Sequence, residues 1–221
     1  MKFELDNVEL YFREKRILNG IYLKAETGKV TAILGSNGCG KSCIMNIAFG
    51  ILKPKYKLVR IDGKPLLKQL YKTNLARLLP QYNFVPNNMT LNRAFHLYDI
   101  NWDHFASTFE AYRDFKSFKF KNLSGGQRRL IEIYIILKSN CELVLLDEPF
   151  SHLSPKHVES VKALISEEKH KKAILITDHM YRHIIETADS IYLLKNGCTK
   201  LINDLLELED YKYLSEGSLS N

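Results

Sequence analysis

The stretch that most constrains this chain is Val30-Thr31-Ala32-Ile33-Leu34 running directly into Gly35-Ser36-Asn37-Gly38-Cys39-Gly40-Lys41-Ser42. A short continuous apolar run is the pattern of a strand buried on both faces, which belongs to a parallel sheet covered by helices. The loop after it has the Gly-x4-Gly-Lys-Ser spacing of a Walker A phosphate loop. Each residue type has a physical task there. Glycines let the backbone curl so that successive N–H groups point inward at phosphate oxygens. The helix that follows, through Ile44, Ile47 and Ala48, presents its positive N-terminal end to the same anion. Lys41 is expected to reach the β- and γ-phosphates of ATP, and the Ser42 hydroxyl to ligate Mg²⁺.

Around this unit the hydrophobic pattern changes twice. Phe3 and Leu5, then Val8, Leu10 and Phe12, then Ile21, Leu23 and Ala25 alternate at period two, which predicts half-buried antiparallel strands. Leu58 to Ile61 with Asp62-Gly63 reads as a strand and turn, and Leu143 to Leu146, Ala173 to Thr177 and Ile191 to Leu194 read as further strands. Asn196-Gly197 is a hairpin turn signal. The aromatic-rich stretch from Tyr82 to Lys121, with Phe105, Phe109 and Tyr112 at helical spacing, reads as a small helical insertion. Leu130 to Leu137 is apolar nearly all round and predicts a buried helix; Ser154-Pro155 predicts the start of another.

Strands alternating with helices give an α/β fold, a P-loop NTPase core with a mainly parallel sheet. An N-terminal antiparallel β-subdomain and a small inserted helical subdomain complete it. We expect one domain over residues 1–221. Residues 1–81 and 129–214 would form the core with the β-subdomain, 82–128 the helical subdomain, and 215–221 a flexible tail.

Two further motifs carry chemistry. Leu143-Val144-Leu145-Leu146-Asp147-Glu148 is an apolar strand ending in two acids, a costly placement unless they meet a cation or a proton. Asp147 is expected to hold Mg²⁺ and Glu148 to polarise an attacking water as general base. Taken alone, the pair reads equally well as solvated acids at a strand end. In Leu123-Ser124-Gly125-Gly126-Gln127, Ser124 and Gln127 form a capping box ahead of an apolar helix. Gly125 and Gly126 leave backbone N–H groups uncovered. The result is a second anion-binding helix start, although in isolation the stretch would pass for an ordinary capped helix.

With these motifs in this order, from Phe3 to Leu201, the chain resembles the nucleotide-binding domain of ATP-binding cassette (ABC) proteins. The resemblance implies several roles. Phe12 lies where the family places an aromatic on adenine, with Tyr11 as the neighbour able to do it instead. Gln81 resembles the glutamine of the loop that touches Mg²⁺ or its water, and His179, in Thr177-Asp178-His179, the histidine of the switch loop. Two such domains face each other head to tail, so each ATP lies between Gly35 to Cys43 of one chain and Ser124, Gly125, Gly126 and Gln127 of the other. In that arrangement Lys41, Gln81, Glu148 and His179 serve catalysis, while Ser42, Gln81 and Asp147 serve the metal. The implied partners are a second nucleotide-binding subunit and separate transmembrane permease subunits. Direct binding of nucleic acid is not expected. Aromatics near Gln81 (Tyr82, Phe84, Phe95, Tyr98) would either line a docking groove for the permease or fill the helical subdomain.

The pattern has two departures. Ser154 stands where the family ends the tetrad Ser151-His152-Leu153-Ser154 in aspartate, which implies weaker communication between sites. Cys43 stands where a threonine often follows the serine, and its weak thiol donor implies the loss of one α-phosphate hydrogen bond, typically ~1 kcal/mol.

Composition narrows the setting. No apolar run in the 221 residues nears the roughly 20 needed to span a bilayer, and the start has no apolar signal region. Cys39, Cys43, Cys141 and Cys198 have no metal-ligand spacing and read as reduced thiols. A cytoplasmic chain is expected, peripheral on the inner face of the cell membrane. The net charge of +7 suits nucleic acid, an anionic membrane surface or a solvated lysine-rich surface. The expected function is the ATP-hydrolysing subunit of a transporter. The alternatives are a soluble ABC ATPase acting on ribosomes or DNA, and a small-molecule kinase, which would leave Ser124 to Gln127 unexplained.

Overall fold

The structure is a computed structural model and describes residues 1–219. Strands β1 (Lys2–Phe12) and β2 (Lys15–Glu26) form an antiparallel hairpin. Strand β3 (Val30–Leu34) leads through the glycine-rich loop into helix α1 (Lys41–Phe49). Then come β4 (Tyr56–Ile61), β5 (Lys64–Pro65) and β6 (Ala76–Leu79). Helices α2 (Leu91–Leu97) and α3 (Trp102–Thr108) follow, then two short 3-10 segments and helix α4 (Gly125–Lys138). The chain closes with β7 (Leu143–Asp147), α5 (Pro155–Glu168), β8 (Ala173–Thr177), α6 (Tyr181–Thr187), β9 (Ser190–Lys195), β10 (Cys198–Ile202) and α7 (Glu207–Asp210).

Two sheets result. One is antiparallel in the order β2-β1-β4-β5; the other runs β10-β9-β3-β8-β7-β6 and is parallel except for its β9–β10 edge hairpin. This is the mainly parallel sheet, with a smaller antiparallel one, expected from the pattern. The central strands divide their residues between two cores by simple alternation. Val30, Ala32 and Leu34, with Val144, Leu146, Ile174 and Ile176, pack toward α4 and α5. Ile33, Leu143, Leu145, Ala173 and Leu175 pack toward α1 and the antiparallel sheet. Burial on both faces explains why these strands read as unbroken apolar runs. It also sets the carboxyl ends of β3, β7 and β8 side by side, where ligands of open α/β sheets bind.

Local differences from the sequence pattern have local causes. In β1 the buried parity changes between Leu5 and Val8, because a bulge at Asn7 (φ 50°) inserts an extra residue. Strand β6 carries no clear signal: it has four residues, two of them only half-buried, and borrows its stability from pairing with β7. Phe105, Phe109 and Tyr112 do not share one helix. Helix α3 stops at Thr108, Phe109 leaves helical geometry (φ −124°, ψ 73°), and Glu110–Phe115 is a 3-10 segment. Packing, not helical period, brings these rings together. Phe105 lies 5.1 Å from Phe95 and 4.8 Å from Tyr134 between ring centroids, and all three are buried. Phe105→Ala should therefore destabilise the chain by about 3–5 kcal/mol, measured as a lowered midpoint in chemical denaturation.

Phe95 thus fills the core, and Phe84 and Tyr98 pack edge to face at 6.1 Å; of the four aromatics near Gln81 only Tyr82, 72% exposed, stands out into solvent. The described part of the tail, up to Leu219, is tied back by the Gly217 and Leu219 N–H groups, which donate to the Glu209 carboxylate. The last two residues of the expected tail lie outside the described residues.

Candidate nucleotide-binding site

The phosphate loop holds its shape through a few residues. Gly38 and Gly40 have φ of 77° and 112°, the left-handed region that a side chain disfavours. At Gly35 a Cβ would meet the Cys39 sulfur and the Leu194 carbonyl oxygen, each at 2.7 Å. Lys41 is buried, and its Nζ donates to the Gly35 carbonyl at 2.7 Å and the Ser36 carbonyl at 3.2 Å. A buried ammonium held only by neutral carbonyls suits a site whose missing charge is an anion. Beside it opens a cleft of ≈ 560 Å³ lined by Asn37, Gly38, Gly40, Lys41, Ser42, Cys43, Gln81, Glu148 and His179. Of the predicted loop residues, Gly35, Ser36 and Cys39 are not part of that lining.

The acids at the end of β7 have different surroundings. Asp147 is buried; burial raises its pKa, against the hydrogen bonds from Thr177 (2.7 Å) and Ser42. Glu148 has a φ of 49°, which turns its side chain toward the cleft. Its Oε2 accepts from Gln81 Nε2 at 2.8 Å and lies 3.5 Å from His179 Nδ1. Residues distant in sequence thus meet around one carboxylate. Asp178, fully buried, shapes the loops beneath them by accepting from the Phe150 N–H at 3.1 Å and the Met180 N–H at 2.9 Å. Burial raises its pKa as well, and those two N–H groups oppose the shift.

One group at the site went unread in the sequence. Arg129, buried in the first turns of α4, donates to the carbonyls of Pro80 (2.8 Å), Asp147 (2.7 Å) and Glu148 (3.0 Å). The available signal was a pair of arginines immediately before the apolar run Leu130 to Leu137 of that helix.

Ser124 caps α4 as expected: its hydroxyl accepts from the Gln127 N–H at 3.2 Å, and the Gln127 side chain accepts from the Ser124 N–H at 2.9 Å. None of Ser124, Gly125, Gly126 or Gln127 lines the cleft. Phe12 also lies outside the lining, at the end of β1, and is 51% exposed. Tyr11 is engaged elsewhere: its hydroxyl accepts from Arg16 Nε at 2.8 Å, and the Lys55 ammonium sits 5.2 Å from its ring centroid. Cys43 lines the cleft, and burial pushes its thiol pKa up, so it stays a weak neutral donor. Ser154 is the N-cap of α5, accepting from the His157 N–H.

The donor set fits Mg²⁺. One carboxylate (Asp147), one hydroxyl (Ser42) and a nearby amide (Gln81) are hard oxygen ligands for an ion that usually leaves its remaining positions to water and phosphates. Among the described residues no group of three or more His, Cys, Asp or Glu offers a self-contained metal cage. No described helix is long and apolar enough to cross a membrane.

A glycine loop between a buried parallel strand and a helix, with acids ending the sheet strand two places away, defines the P-loop class of nucleotide-binding folds. Comparison with known proteins narrows this: residues 18–151 match the ABC transporter family, and the chain belongs to it. It is 28% identical to a putative ABC transporter ATP-binding protein of Pyrococcus furiosus, over 92% of this chain and 84% of that protein. It is 30% identical to an arabinose import ATP-binding protein of Mannheimia succiniciproducens, over 88% of this chain but only 42% of that protein. A solved ATP-binding subunit of an ABC transporter superposes over the whole chain with a TM-score of 0.83 at 21% identity, which speaks for the fold.

Proposed function

We propose that this chain is the Mg²⁺-dependent ATP-hydrolysing subunit of an ABC transporter, working as a head-to-tail pair beneath separate membrane subunits. The observation that carries the reading is the division of the motifs. One cleft gathers Lys41, Ser42, Gln81, Glu148 and His179, while the second anion-binding helix start, at Ser124, lies outside its lining. Two such starts in one chain make chemical sense when the first binds this chain's own ATP and the second completes the ATP site of a neighbour.

Within that site Lys41 and the loop N–H groups bind the phosphates, and Phe12 stacks on adenine. Phe12 is free to do so where Tyr11 is not. Ser42, Asp147 and Gln81 hold Mg²⁺, which when bound neutralises phosphate charge. Glu148 orients the attacking water and accepts its proton, with His179 and Gln81 fixing the carboxylate. Ser124, Gly125, Gly126 and Gln127 meet the partner's ATP.

Phe12→Ala should weaken ATP binding about five- to a hundredfold, the loss of one stacked ring worth ~1–3 kcal/mol, read by titration calorimetry. The transporter reading is tested by retention on membranes. The chain should sediment with membranes that contain its permease and stay in the supernatant when the permease is deleted; association with ribosomes instead would favour the soluble alternative. Among the relatives, the import protein's name supports transport.

A further inference from the structure

We propose that Arg129 is a positioning residue that ties the signature helix to the catalytic carboxylate of the same chain, so that events at Ser124 reach Glu148 through one buried guanidinium. The proposal rests on the role given above to Glu148. Three carbonyls converge on Arg129, from Pro80, Asp147 and Glu148. Pro80 precedes Gln81, whose amide holds Glu148 Oε2. The contacts therefore close a ring: Arg129 to Pro80, Gln81 to the Glu148 side chain, and the Glu148 backbone back to Arg129.

The ring restrains a backbone that would otherwise relax. Glu148 is a non-glycine residue in the left-handed region (φ 49°), a conformation that persists where its surroundings impose it. Its N–H donates to the Thr177 carbonyl at 2.8 Å and its own carbonyl is held by Arg129, so both peptide groups are fixed. A planar guanidinium with five donors satisfies several carbonyls at once, which a single ammonium does less well.

Neighbouring residues of α4, Arg128 and Glu132, hold the far end of the same loop. Arg128 donates to Asn87 Oδ1 at 2.5 Å and to the Val85 carbonyl. It also pairs at 3.1 Å with Glu132, which accepts from the Val85 N–H at 3.2 Å. Helix α4 thus grips residues 80 to 87 at both ends and starts at the signature. A shift of α4 on meeting a partner's ATP moves Gln81 and Glu148 with it. This gives the two sites a connection that does not need the aspartate replaced by Ser154.

The test uses the full-length chain with Arg129→Met and, as a variant that keeps the charge, Arg129→Lys. Arg129→Met should lower kcat about 100-fold, the scale of a 1 Å misplacement, while the Kd for ATP stays within about threefold. Arg129→Lys should recover part of kcat. In a Glu148→Gln background Arg129→Met should cost less than about threefold more, since both changes act on one group. An equal loss in both backgrounds, or a kcat near that of the natural chain, overturns the proposal. Hydrogen exchange supplies a readout independent of turnover. Peptides covering residues 79–87 and 147–151 should exchange about tenfold faster in Arg129→Met while β1 and β2 stay unchanged; unchanged exchange in both segments overturns the grip. If Glu148→Gln alone keeps full turnover, the role of Glu148 fails, and the exchange result still decides whether Arg129 holds this loop.

Discussion

Glu148→Gln is expected to cut ATP turnover by about 10²–10⁴-fold, the usual contribution of a positioned general base, and to leave a stable ATP-bound dimer. The substitution keeps the shape of the side chain and one carbonyl oxygen to accept from Gln81, so the loop should stay in place. In the proposed mechanism it removes the group that accepts a proton from water. On that proposal ATP would then continue to join two chains with nothing to release it. Steady-state phosphate release measures the first effect. Size exclusion with and without ATP measures the second, as a shift from monomer to dimer. Full activity in the variant would remove Glu148 from the mechanism.

Lys41→Met should weaken ATP binding by about 10–100-fold, the loss of a charge-assisted hydrogen bond worth ~1.5–3 kcal/mol, with hydrolysis falling further. Lys41 is buried and donates only to the Gly35 and Ser36 carbonyls in the structure. Methionine fills the same volume but brings no charge to the phosphates. Equilibrium binding of a fluorescent ATP analogue would show the difference. Near-native affinity would mean that the loop N–H groups suffice and that Lys41 acts only in turnover.

What was legible in the sequence follows from how local each signal is. The phosphate loop and the strand before it were readable because glycine, lysine and serine at fixed spacing have few other uses, and because burial on both faces writes an unbroken apolar run. The capping box at Ser124 was readable for the same reason: its two hydrogen bonds lie within four residues. Strand β6 was not, because it is short, interrupted by Arg77 and fixed by its pairing with β7. The helical subdomain was only partly legible. Its rings were visible, but Phe109 breaks the helix that their spacing suggested, and contact with Tyr134 of α4 decides where they go. Arg129 and Asp178 hold backbone groups far away in sequence, so no local spacing marks what they do. The engagement of Tyr11 by Arg16 and Lys55, which favours Phe12 in the proposed site, joins side chains from separate strands and a loop and has no local sequence mark.

In the proposed pair each chain carries half of two ATP sites, and mixing two inactive variants checks this: Lys41→Met, with a damaged phosphate loop, and Gly126→Asp, with a damaged signature. Each alone should be nearly inactive. In an equimolar mixture half of the dimers pair one of each, and every such dimer holds one intact site. Activity should recover to roughly a quarter of the natural level if the pair is symmetric and its sites act independently. A mixture no more active than its separate components, or a Gly126→Asp chain that hydrolyses ATP normally by itself, would rule out shared sites.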